Sequence, residues 1–224
     1  MSIRAWYRVG AATGLLHVVV VLIGFAVHGA TPSVGASTSD LATFVAQAHS
    51  TQVWVGNYIE AAGYTLLLPF VGCLYARVRT QEASWSWVPI TAVAAAVGYV
   101  AISIGPGIAL QEAAVQWGKR GLTPAMVGGI SDLADDVFFL SFVPASLFLA
   151  AISTAALKIR ALPPWLGWSA AVLAVLMLAA GLVSNLANGS SVGTNAFLLF
   201  ALWIIGASIY LLVRPDTEPR PASG

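Results

Sequence analysis

The sequence predicts an all-α fold: a polytopic transmembrane bundle of six helices, N and C termini cytoplasmic, with two short amphipathic helices in the outer loops. Three observations predict it. Only 8% of the 224 residues are charged and 58% are hydrophobic, against about 25% charged in a soluble globular protein. Mean hydropathy is +0.85, more apolar side chain than a soluble domain of this size has interior to hide. Six apolar stretches, at 9–27, 53–76, 88–108, 133–157, 165–186 and 196–213, are separated by Gly, Pro or charged residues. Each is close to the 20 or so helical residues that cross a hydrocarbon core of about 30 Å.

The first stretch has Arg4 and Arg8 before it and His28-Gly29-Ala30 after it. It is longer than the h-region of a secretory signal, about 7–15 residues, and His28 stands where a cleavage site needs a small side chain. It is therefore expected to be a retained helix. His17 lies about 9 residues beyond Arg8, or ~13 Å into the membrane. Such a residue is either interhelical packing glue or part of a proton relay with Glu60. The depths of the two differ by roughly 10 Å, so a relay would need a water or a third residue.

The loop that follows carries Leu41, Phe44, Val45 and Ala48 at helical spacing, with Ser39 or Asp40 as candidate N-cap. It predicts an amphipathic helix lying on the outer surface, as interfacial packing or as a lid.

The second stretch holds the polar residue that matters most. About 16 residues separate Glu60 from Arg77, or ~24 Å of helix, which leaves Glu60 roughly 6 Å below the outer boundary of the apolar core. Asn57, Glu60 and Tyr64 share one helix face, and that face must look into the bundle or a wet cavity. The plain alternative is a Glu that only hydrogen-bonds a neighbouring helix; but intramembrane carboxylates are costly, and by default suggest function. Pro69 on the same helix frees the carbonyl of Thr65.

After the third stretch, Leu110, Ala113, Ala114 and Trp117 repeat the amphipathic spacing, which predicts a second helix on the outer surface. The fourth stretch is preceded by Asp132 and opens with Asp135 and Asp136. Residues 137–156, about 20 residues, already span the core on their own, so all three acids fit the outer interface. Ser131 is the expected N-cap, and acids in a first turn suit the helix dipole. Asp135 and Asp136 are one turn deeper and point in adjacent directions; one of them is expected to face inward. Asn185 and Asn188 close the fifth stretch and Asn195 opens the sixth. Residues 1–214 are read as one membrane domain and 215–224, Pro-rich and polar, as a disordered cytoplasmic tail.

Charge sets the orientation. With the N-terminus cytoplasmic, Arg4, Arg8, Arg77, Arg79, Lys158, Arg160, Arg214 and Arg220 lie inside, and only Lys119 and Arg120 outside. Most tryptophans fall at the boundaries, Trp6, Trp85, Trp87, Trp165 and Trp168 inside, Trp54 and Trp117 outside, with Trp203 alone mid-span. Small residues at Gly10, Gly14 and 92–98 suit close helix contact.

Several chemistries are excluded. Net charge +1 gives no field for nucleic acid. A single cysteine, Cys73, rules out an intrachain disulfide. One intramembrane His is too few for the paired axial ligation of a bundle haem, and both lysines lie in loops, away from any retinal Schiff base. There is no HExxH or Glu-x-x-His pair, no Walker motif and no G-x-S-x-G. No cofactor or metal is expected.

Leu140-Ser141-Phe142-Val143-Pro144, then the run from Leu162-Pro163-Pro164-Trp165 to Trp168, and Leu202-Trp203-Ile204-Ile205-Gly206 with Arg214-Pro215 resemble the DUF4386-like bacterial integral membrane proteins. That likeness, loose over 66–215, implies about six helices and carries no catalytic residue; these proteins have no known function. The Ala/Val/Gly-rich composition resembles that of high-GC actinobacterial proteins and implies a bacterial plasma membrane.

Three functions fit these residues. The first is binding or transport of a small hydrophobic or amphipathic ligand in an outward-facing, acid-lined pocket; the six helices and outer lids resemble the substrate-binding subunits of vitamin importers. The second is acid catalysis on a lipid-like substrate. Here the resemblance is to integral membrane terpene cyclases, with Glu60 and Asp135 or Asp136 as the acids and Tyr64, Tyr99, Phe138, Phe139 and Trp203 available for cation–π contact. The third is a structural or sensory subunit whose polar residues only lock helices together. Candidate catalytic residues are Glu60, Asp135 and Asp136; candidate ligand contacts are Asn57, Tyr64, His17, Phe139, Trp203 and Asn185.

Overall fold

The computed structural model describes residues 3–29, 31–32, 35–79, 83–187 and 190–214. The expected tail at 215–224 and Asn188 lie outside the described residues, as does the side chain of Asn185. Among the described residues every regular element is helical. The α-helices are α1 (Ile3–His28), α2 (Thr38–Gln47), α3 (Ser50–Thr65), α4 (Leu67–Val78), α5 (Trp87–Ile102), α6 (Ala109–Lys119), α7 (Pro124–Leu140), α8 (Phe142–Leu157), α9 (Pro164–Ala187) and α10 (Ser190–Val213). They make six helices long and apolar enough to cross a membrane. These are α1, α3 with α4, α5 with α6, α7 with α8, α9, and α10. The protein is an all-α polytopic membrane bundle.

The start of α1 and the end of α10 lie at one end of the bundle. The Cys73 thiol donates to the Tyr7 carbonyl at 3.5 Å and the Arg77 guanidinium to the Arg214 carbonyl at 3.4 Å. This is called the terminal end and its opposite the distal end. At the distal end Gln52 donates to Val27 O at 2.7 Å and Lys119 to Ala46 O at 3.4 Å, which ties the long loops down. Leu16, Val19, Leu22, Val172, Val175 and Leu202 remain exposed on the bundle's flank, the surface a helical bundle offers to lipid.

The second, third and fourth spans are interrupted, and each interruption has a proline behind it. Pro69 has no N–H for Thr65 O, and the helix breaks at Leu66, whose N–H reaches both Ala62 O and Gly63 O at 3.2 Å. Pro144 does the same to Leu140 O, and the break at Ser141 is closed by its hydroxyl donating to Phe138 O at 2.6 Å. Between α5 and α6 the chain runs as a π-helix, Ser103–Ile108, with Pro106 inside it. π-turns of this kind are uncommon and often found at functional sites.

Glycine brings α1 onto α3 and α4. A Cβ at Gly24 would stand 2.8 Å from Glu60 Cα, one at Gly56 2.8 Å from His28 Cα, and one at Gly63 2.8 Å from Val21 N. A Cβ at Gly10 would meet Cys73 Cβ at 2.8 Å. Backbones this close are what small residues permit inside a membrane.

Several expectations change. The helix over Leu110–Trp117 does not lie apart on the surface: it continues the third span through the π-turn, and Ala114 and Val115 are buried, packed where α6 meets α7. The fourth span starts at Pro124, not near Ser131, because Thr123 caps it from the β region and Pro124 suits the first turn. Asp132, Asp135 and Asp136 are therefore well inside α7 and receive no first-turn dipole stabilisation. The cap of α2 is Ser37, whose hydroxyl accepts from Asp40 N at 3.2 Å, in place of Ser39 or Asp40. Asn195 lies inside α10, which begins at Ser190. The helix α2 itself forms as expected, but Leu41 is buried and a Cβ at Gly128 would meet it at 2.7 Å, so α2 is docked on α7.

Candidate functional site

α1 and α3, held close by Gly24 and Gly56, put their polar groups face to face at the distal end. Glu60 is 3% exposed. Its Oε2 lies 3.5 Å from Nε2 of His28, near enough for charge to be felt and longer than a good hydrogen bond. Asn57, on the previous turn, and Tyr64, on the next, are buried on the same face, so the polar stripe read from the spacing looks into the bundle.

Above Glu60 the helices leave a cavity of about 370 Å³, within the usual range of about 300–1,000 Å³ for small-molecule sites. α1 contributes Phe25 and His28, α3 contributes Glu60, and the π-turn Ser103, Gly107 and Ile108; α6 adds Gln111, α7 Ala134, Asp135, Phe138 and Phe139, and α10 Thr194. The π-turn explains three of these positions. A Cβ at Gly107 would find only Ile102 O, at 3.5 Å, so that wall is open space with no side chain in it. Thr31 and Thr194 are exposed at the cavity's edge, and Glu60 is buried in its wall.

Polar atoms without partners concentrate here. Among the described residues the buried side-chain atoms lacking a hydrogen bond are His28 Nε2, both amide atoms of Asn57, Glu60 Oε2, Tyr64 OH, Tyr99 OH, Ser103 Oγ, Ser208 Oγ and Arg77 Nε. Of these, His28, Glu60 and Ser103 line the cavity, Asn57 and Tyr64 share the helix face of Glu60, and Tyr99 packs on Tyr64. Tyr64 sits edge-on to Tyr99, ring centres 5.8 Å apart, and Tyr99 to Phe200 at 5.5 Å. None of these three rings lines the cavity. Several of these groups face one another at the limit of hydrogen-bond range, as His28 and Glu60 do at 3.5 Å, so the region is a concentrated buried polar patch, and such patches are costly in a bundle core unless they are bonded.

The acids now separate. Asp135 lines the cavity and is half-buried; Asp136 is exposed on another face. Asp132 accepts from Gly35 N at 3.4 Å, a loop contact. Phe139 lines the cavity, against Phe138 and Phe142, with ring centres 5.6 Å from each. His17 is elsewhere: its Nδ1 donates to Gly63 O at 2.8 Å and its ring tilts against Tyr64. The histidine that faces Glu60 is His28. Trp203 is buried away from the cavity, its indole N–H donating to Leu166 O at 3.4 Å and its ring edge-on to Phe148. The side chain of Asn185 lies outside the described residues.

Sequence reasoning missed His28, Ser103 and Gln111 as site residues. His28 had a signal: it ends a span that must come level with Glu60 if both helices turn at the same membrane face. Ser103 had one too, since it opens the Gly-Pro-Gly segment that disrupts α-helical bonding. Gln111 had none, because the continuity of α6 with the third span was not foreseen.

Set against known proteins, the chain matches no family model, no curated protein and no solved structure.

Proposed function

We propose that the protein binds a small amphipathic molecule in the distal cavity, as a binding or transport protein of a bacterial plasma membrane, with the distal end outward. One observation carries the reading: the buried polar groups of Glu60, His28 and Ser103, none with a well-formed hydrogen bond, gather on the wall of a cavity whose other walls include Phe25, Phe138 and Phe139. An amphipathic guest supplies polar partners to the first set and apolar surface to the second. The interruptions of three neighbouring spans support transport, because discontinuous helices at a binding site are a recurrent transporter device. The DUF4386-like resemblance supports the bacterial location and assigns no residue a role.

The test uses 4-phenyl-1-butanol, a neutral amphiphile, with the full chain in detergent. It is expected to raise the melting temperature of the wild type and not that of Gly107→Phe, whose ring would occupy the cavity. An equal response in both would reject the site.

A second reading has its own support. Glu60 and Asp135 enter one aromatic-walled cavity from separate spans, the arrangement that acid catalysis on a lipid-like substrate needs. Of the aromatics it calls on, Phe138 and Phe139 line the cavity, whereas Tyr64 and Tyr99 pack on each other outside its lining and Trp203 lies away from it. Conversion of an isoprenoid diphosphate that is lost in both Glu60→Gln and Asp135→Asn would favour it over binding alone.

A further inference from the structure

We propose that this cavity takes up a small hydrophobic organic cation in exchange for one proton held by the Glu60–His28 pair. The proposal rests on the reading of the cavity as a ligand site and names the ligand's class.

The argument begins with charge. Glu60 is 3% exposed, and no lysine or arginine is among the residues that line the cavity. A carboxylate removed from water without a counter-charge is strongly disfavoured. Something positive must therefore accompany it, and the described lining residues offer only a proton, held either on the carboxyl or on His28 at 3.5 Å. In both arrangements the pair is neutral and carries one removable proton. A monovalent cation entering the cavity replaces that proton charge for charge: one cation in, one proton out, with the carboxylate as counter-ion in place of the acid.

The remaining walls suit an organic cation. Phe25, Phe138 and Phe139 present ring surface, which attracts diffuse positive charge once water is stripped away. Asp135 stands on the α7 wall and adds a second negative group toward the exposed edge. Hard metal ions require six or more oxygen ligands for calcium or near-octahedral oxygen for magnesium, and among the described residues no three His, Cys, Asp or Glu side chains converge.

The groups able to influence the exchange come from every packed element. α1 brings His28, while His17 is committed to Gly63 O. α3 itself brings Tyr64, α5 brings Tyr99, and the π-turn brings the Ser103 hydroxyl. α7 brings Asp135, with Asp132 tied to Gly35 and Asp136 exposed. α6 brings uncharged Gln111 with half-buried Glu112 beside it, and α10 brings Thr194. None of these supplies a fixed positive charge, so the proton on the pair is the one the guest must displace.

The experiment titrates the full chain in detergent with benzyltrimethylammonium, which has no proton of its own to give, at constant ionic strength and in weak buffer with a pH dye. The expected result is release of up to one proton per cation bound, with affinity rising about tenfold per pH unit while the pair is protonated. Glu60→Gln should abolish the release and weaken cation binding at least tenfold while keeping the wild-type helical content by circular dichroism, which reports an intact fold. Cation binding that ignores pH, or that survives Glu60→Gln unchanged, overturns the proposal. Binding of the alcohol without the cation overturns it and leaves the ligand site standing; binding of neither removes both. If Glu60→Gln does not fold, Asp135→Asn carries the test: a several-fold loss of cation affinity with wild-type helical content by circular dichroism supports the proposal, and unchanged affinity sinks it.

Discussion

At the residue scale, Glu60 was the most legible feature, and the reason is geometric. Helix rise converts its distance from Arg77 into a depth, and that depth leaves no route to water except through the protein. Its partner was not legible in the same way, because helix arithmetic gives depth along one span and says nothing of which neighbour faces it. The glycines decide that. Gly24 lies against Glu60, and a Cβ there would come 2.7 Å from Glu60 Cβ and 2.8 Å from its backbone nitrogen. Gly24→Leu should therefore force α1 from α3 and lower stability by about 1–3 kcal/mol, the usual cost of overpacking. Gly72→Leu, where a Cβ meets nothing within 4 Å, should stay within about 0.5 kcal/mol of wild type. Chemical unfolding in detergent compares the two, and equal losses would show that the α1–α3 approach is not glycine-dependent. His17 makes a complementary case. Its one hydrogen bond goes to Gly63 O at 2.8 Å, so His17→Leu should cost about 0.5–2 kcal/mol of stability, the range of interhelical polar contacts in membranes. Its response to 4-phenyl-1-butanol should be that of the wild type; a lost response would place His17 in the site after all.

At the element scale, the apolar runs marked the cores of all six spans, and the errors fell where a span outlasts its apolar run. Residues 109–119 and 124–132 are polar enough to read as loop, yet they continue the third and fourth spans as α6 and the first turns of α7. Tertiary packing stabilises them: Gly118 is pressed on Val45 of α2 and Val127 of α7, where a Cβ would meet side chains at 2.9 and 3.1 Å. A hydropathy window sees neither contact. The π-turn was also hidden, since Gly-Pro-Gly reads as a helix end and here marks a wider turn inside one. A π-turn accommodates about one residue more than an α-turn. Deleting Gly105, whose Cβ position touches nothing within 4 Å, should let the segment tighten toward α geometry and draw Ser103, Gly107 and Ile108 out of the cavity wall. The deletion variant is expected to stay helical by circular dichroism while losing its 4-phenyl-1-butanol stabilisation. Retention of the full response would separate the π-turn from the site.

At the scale of the whole molecule, charge and tryptophan agree on how the bundle sits in a membrane. Trp6, Trp87, Trp165 and Trp168 are exposed toward the terminal end and Trp54 and Trp117 toward the distal end, whereas mid-span Trp203 is buried, as two interfacial belts require. Belts alone do not distinguish inside from outside. The basic residues do: Arg77 and Arg214 meet at the terminal end, while Lys119 and Arg120 are at the distal end, so among the described residues seven of the nine basic ones belong to the outer ends of α1 and α10 or to the short connections at that end. Lys and Arg resist translocation, so the terminal end is expected in the cytoplasm and the cavity on the other side. Cysteine labelling tests this directly, with little background because the only native cysteine, Cys73, is buried. In intact cells, Ser37→Cys in the exposed cap of α2 should react with a membrane-impermeant maleimide, and Ala83→Cys in the loop after α4 should react only once the membrane is opened. The opposite pattern would turn the cavity to the cytoplasm, and its guest would then arrive from inside the cell, reversing the direction of any proton exchange at Glu60.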